Sequence, residues 1–134
     1  MTQRLRSQTL RIVVLLSFTI HFCFGQKSID SLENWVKRYP KKDTLRVANL
    51  LQLERLYYIH APHNIGRFGA EILNTSLRLN YQRGISAGYS ILAHQNIYKG
   101  KYSEAIKIVF KKVKYDEANK KESELANSYS LLGY

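Results

Sequence analysis

Three leucines, Leu53, Leu92 and Leu132, lie at nearly equal intervals inside related phrases, LLQLERLYY, YSILAHQNIY and YSLLGY. A self-similar period between about 20 and 50 residues is the mark of stacked units, each too small to bury its own apolar stripe. Such units are stable only against their neighbours. The stack they form presents an extended concave surface suited to gripping another chain. The expectation is an all-α array of paired helices, and no strand-like alternation of useful length competes with it.

Local patterning supplies the helices. Ile29, Leu32, Trp35, Val36 and Tyr39 follow a 3.6-residue rhythm that starts near Ser28, a candidate N-cap, and stops at Pro40. Trp35 then offers a large apolar face with which this helix can cover the first repeat. Asp43 or Thr44 caps a second helix, whose face is Val47, Leu50, Leu51, Leu53, Leu56 and Tyr57 and whose end is near His60. A turn follows at Pro62. Ile65, Phe68, Ile72 and Leu79 resume helical spacing, and Gly69 among them allows close approach of a neighbouring helix. Tyr81-Gln82-Arg83-Gly84 reads as the next break, followed by helices at about 85–98 and 102–118 joined at Gly100, and by a last one from near Glu122.

The anchor residues resemble the tetratricopeptide repeat, a helix-turn-helix unit with a large residue, Leu and a small residue at fixed offsets in its first helix. The fullest match is Tyr89, Leu92 and Ala93, then the turn Gly100-Lys101-Tyr102 and Ala105 in the second helix. Tyr129, Leu132 and Gly133 begin another unit; Leu50, Leu53 and Tyr57, with Ile65 and Phe68 after Pro62, form a degenerate earlier one. The family's usual period is about 34 residues. Here Asn96 and Val109 stand where aromatics are typical and the closing proline is absent, so the match is to a longer-period variety with a charged turn like DEANKKESELANSY. The resemblance implies a right-handed α-solenoid. Its long-period variety is common in exported bacterial proteins, including the input regions of sensor histidine kinases and of some transcription regulators.

Residues 1–25 read as a secretory signal, because Arg4, Arg6 and Arg11 precede the uncharged apolar run from Ile12 to Phe24. That run falls short of the roughly 20 residues that span a bilayer. Small residues at Cys23 and Gly25 favour cleavage before Gln26; the bulky Ile20-His21-Phe22 argues against lipid modification of Cys23. Residues 26–43 then form a capping helix, and 44–134 a repeat domain of two repeats plus the first helix of a third, a chain cut short within an array. Cys23 is the only cysteine, so the exported form has no disulfide and relies on packing. Removing three arginines and no acid from the formal +11 leaves +8, which favours an anionic partner.

Chemistry of sites is sparse. His60 and His63 resemble a metal pair but lack the third and fourth ligands that zinc requires, so they read as a solvated turn. Asp30, Asp43 and Asp116 look like cap or turn residues, and no nucleophile elbow or phosphate-cradling glycine loop occurs. Neither enzyme activity, a metal nor a cofactor is expected of this stretch. The resemblance places Ser90, His94, Ile97 and Tyr98 toward a concave groove, and Arg55 and Tyr58 one repeat earlier. Arg55, Tyr58, His94 and Tyr98 would form a cationic and aromatic strip for an extended peptide. His94 reads equally as a partly buried histidine held by a neighbouring helix. Family members that bind a C-terminal carboxylate use a lysine and an asparagine; Ser90 and His94 stand there instead. Lys107, Lys111 and Lys114, with Lys112 adjacent, give the second helix of that repeat a basic stripe that reads first as a solvated face. Nucleic acid is set aside, since export removes the chain from it, and membrane-surface attachment ranks below a protein partner. The expected function is a protein-interaction scaffold in the bacterial envelope, periplasmic or envelope-associated, that binds a partner peptide, acidic in character, or its own downstream domain. The alternative is the periplasmic input region of a sensor kinase.

Overall fold

The structure is a computed structural model and describes residues 28–133, so the expected signal segment lies outside the described residues. Every regular element among those residues is helical. In chain order they are α1 (28–38), α2 (Thr44–His60), a single 3₁₀ turn (Pro62–Asn64), α3 (Gly69–Arg78), α4 (Gln82–Tyr98), α5 (Tyr102–Ala118) and α6 (Glu122–Leu132). Helix α2 packs on α3 and α4, α3 on α4, α4 on α5, and α5 on α6.

The even spacing of the leucine phrases has a local cause. Helices α3, α4 and α5 are each followed by a residue with left-handed backbone, Asn80 (φ 51°), Gly100 (φ 70°) and Lys120 (φ 54°), and these three fall at equal intervals along the chain. After each comes an amide that reaches back to the fifth residue before it: Tyr81 to the Ser76 carbonyl at 2.9 Å, Lys101 to Asn96 at 2.8 Å, and Lys121 to Asp116 at 2.9 Å. That bond is the hallmark of a Schellman cap, which satisfies carbonyls the helix end leaves open and reverses the chain. One helix with its cap makes half a period, and a helical pair makes a whole one.

The first pair departs from this rule, and two sequence expectations change with it. Ile65 and Phe68 precede α3 instead of lying in it: Gly66 takes a left-handed conformation (φ 79°), and helix starts only at Gly69. The break after α3 centres on Asn80, so Gln82, Arg83 and Gly84 already belong to α4. Asn tolerates the left-handed conformation because its short polar side chain bonds locally, which leaves Gly84 free for a packing role. Asp43 caps α2 as expected, its Oδ1 accepting the Arg46 amide at 3.0 Å.

Two apolar clusters form the interior. The larger gathers Ile29 and Val36 of α1, Val47, Leu50, Leu53 and Tyr57 of α2, Ala61 and Ile72. Trp35 and Ile91 pack against it, and the Trp35 ring stacks on Tyr39 at 4.4 Å. The smaller consists of Ala93, Val109 and Val113, covered by Ile108, Leu125, Leu131 and Leu132. Leu125 and Leu132 of α6 are partly buried against this core, while Tyr129 is exposed. Helix α4 touches both clusters. It can approach α3 closely because a Cβ at Gly88 would lie 2.9 Å from the Leu73 Cα, and one at Gly69 3.0 Å from Ile91 and Leu92.

Candidate functional site

Charged side chains at core-face positions fix the geometry around the candidate groove. Arg46 in the first turn of α2 is buried; its Nε donates to Glu71 Oε1 of α3 at 2.6 Å, and its Nη1 to the carbonyls of Val36, at 2.8 Å, and of Tyr39. One guanidinium therefore joins the end of α1 to α2 and α3, with a cation at the negative end of a helix. Two turns further along α2, buried Glu54 accepts the amides of Gly66 at 2.8 Å and Phe68 at 2.7 Å. These bonds hold the loop before α3. Burial raises the Glu54 pKa above the usual carboxylate value, and the two amides only partly offset it.

With the loop held, a groove of about 380 Å³ opens between α2 and α4. Leu51, Ile65 and Ile91 supply its apolar surface, and Arg55, Tyr58, Ser90 and His94 its polar one. The Tyr58 and His94 rings meet edge-on at 5.8 Å. Three of the four strip residues are thus brought together. Tyr98, one turn beyond His94, is exposed at the end of α4 and does not line the groove. His94 is half-buried, and burial lowers its pKa, so it is neutral near pH 7 and presents one donor and one acceptor nitrogen. Arg55 is the groove's cation.

Glu124 of α6 also lines the groove, a contribution absent from the sequence reading. It accepts from Ser86 Oγ of α4 at 3.1 Å, and its position depends on a buried polar cluster behind it. Lys112 Nζ donates to Asp116 Oδ2 at 2.7 Å, to Ser128 Oγ at 2.8 Å and to the Glu124 carbonyl at 3.1 Å. Two expectations are corrected here. Lys112, with 1% of its side chain exposed, does not extend the basic stripe, and Asp116, with none exposed, is neither cap nor turn. Both lie on the inner face of α5, one turn apart, alongside Ala105 and Val109, where an isolated charge would be costly and a hydrogen-bonded pair is tolerated. Lys107, Lys111 and Lys114 are exposed on α5. Asp30 lies within α1; His60 ends α2 and His63 sits in the 3₁₀ turn, both exposed.

The buried charges left a signal in the sequence. Arg46, Leu50, Leu53 and Tyr57 share one helical face, as do Ala105, Val109, Lys112 and Asp116, so ions at those offsets fall where burial is expected. Glu124 left none, because its approach to the groove depends on how α6 docks. Comparisons with family models, curated proteins and solved structures return no match to this chain.

Proposed function

We propose that the chain is a tetratricopeptide-like α-solenoid acting as an exported protein-interaction scaffold, whose α2–α4 groove binds an extended peptide segment. One observation carries the reading: Arg55 and Tyr58 on α2, and Ser90 and His94 on α4, line one groove. Its volume lies within the range typical of binding clefts, and its few polar groups stand over an apolar floor. The evenly spaced caps and the α2–α4 contact support the solenoid. With His94 neutral and Glu124 engaged by Ser86 and Lys112, Arg55 selects an acidic side chain next to an apolar residue that fits against Tyr58 and Ile91.

An immobilised library of extended peptides tests this directly. Peptides with an acidic residue beside an apolar one should be retained, and Arg55→Glu should weaken them about tenfold or more, equal to about 1.4 kcal/mol. Retention of the same peptides by Arg55→Glu and by Tyr58→Ala, with helicity intact, would remove the groove as the binding surface.

A further inference from the structure

A second cavity, of about 420 Å³, lies between α1, the turn at Pro40, the start of α2 and the residues just before α3. Four of its lining residues are basic: Lys37, Lys42, Arg46 and Arg67. The arginines are already matched. Arg46 bonds Glu71, and Arg67 Nη1 bonds Glu33 Oε1 at 2.9 Å while its guanidinium rests 5.2 Å from the centre of the Phe68 ring. Neighbouring Lys41 is paired as well, with Asp43 at 3.5 Å. Lys37 and Lys42 are exposed and have no carboxylate at ion-pair distance among the described residues. Arg46 covers the Val36 carbonyl near the end of α1 and the Tyr39 carbonyl just beyond it, which would otherwise repel an anion. Val36, Pro40 and Phe68 add apolar surface, and Glu33, whose Oε1 accepts from Arg67 and from the Tyr57 hydroxyl, is the carboxylate of the lining.

We propose that this cavity binds a small phosphomonoester carrying an apolar or aromatic substituent. The charge left over after pairing is two lysines, which matches the near-dianionic charge of a phosphomonoester at pH 7. Ammonium groups bind phosphate as point charges without needing a fixed fork. The substituent lies against Phe68 and Pro40, with Arg67, held by Glu33 and the Phe68 ring, at the rim. This site is independent of the peptide groove, since it shares none of that groove's lining residues.

Isothermal titration of the full chain with phenyl phosphate, inorganic phosphate and benzoate provides the test. Phenyl phosphate should bind at one site, about tenfold more tightly than either of the others, each of which lacks one half of the recognised chemistry. Lys37→Gln/Lys42→Gln, which alters exposed side chains only, should weaken phenyl phosphate about tenfold or more with an unchanged melting temperature. Absence of binding up to about 10 mM, equal affinity for inorganic phosphate, or undiminished affinity in the double variant would each overturn the proposal.

Discussion

Single residues decide where this chain turns. Asn80, Gly100 and Lys120 occupy the same capping position, yet only glycine does so without steric cost. A lysine in the left-handed region costs roughly 1–2 kcal/mol, partly offset by the greater chain entropy glycine would lose. Lys120→Gly, at an exposed position, should therefore stabilise the protein by about 1 kcal/mol, and a thermal melt of the variant beside wild type measures it. His94 acts on stability through its proton. Its folded pKa lies below the ordinary 6.5, so the unfolded chain binds the proton first as pH falls. The stability it lends is complete above pH 6.5 and is lost as pH drops through the depressed folded value. Melts of wild type and His94→Gln over that window should show wild type losing more, and parallel curves would place His94 in solvent.

At the scale of elements, polar locks bind helices whose apolar contacts are modest. The Lys112, Asp116 and Ser128 cluster joins α5 to α6 beside a core of only Ala93, Val109 and Val113. Lys112→Met should destabilise by about 3–5 kcal/mol, because Asp116 would stay buried with its charge unmatched. Adding Asp116→Leu should recover most of that loss, since a well-packed apolar pair replaces a buried ion pair at little cost. Chemical denaturation of the single and double variants checks both statements. If Lys112→Met cost no more than a surface substitution, the lysine would not be buried between these helices. The lock also bears on the proposed function: α6 brings Glu124 to the groove, so loosening it should disturb the proposed peptide binding while leaving α1 to α3 in place.

At the scale of the molecule, the two cores among the described residues differ in size and meet at α4. The larger is tied by Arg46 and Glu54, and the smaller by the Lys112 cluster and the Ser86–Glu124 hydrogen bond. Packed helices open in contiguous pieces according to local stability. Amide exchange should be fastest in α6, intermediate in α5 and slowest in α2 and α4. Uniform protection from α2 to α6 would mean that the cores unfold as one cooperative unit.

Periodicity in the sequence determined the all-helical class, most helix limits and the even spacing of the turns, because apolar rhythm and turn residues act over a few neighbours. It also marked Arg55, Tyr58 and His94, through their placement on α2 and α4, as candidates for one surface. Tertiary structure decided the rest. The late start of α3 follows from Glu54 of α2 capturing the Gly66 and Phe68 amides across the intervening turn. Tyr98 misses the groove and Glu124 enters it because of the way α4 and α6 pack. Lys112 and Asp116 turn inward because α6 brings Ser128 and the Glu124 carbonyl to meet them. Helical spacing put both charges on the buried face, but their partners come from another element, and no local pattern names those partners.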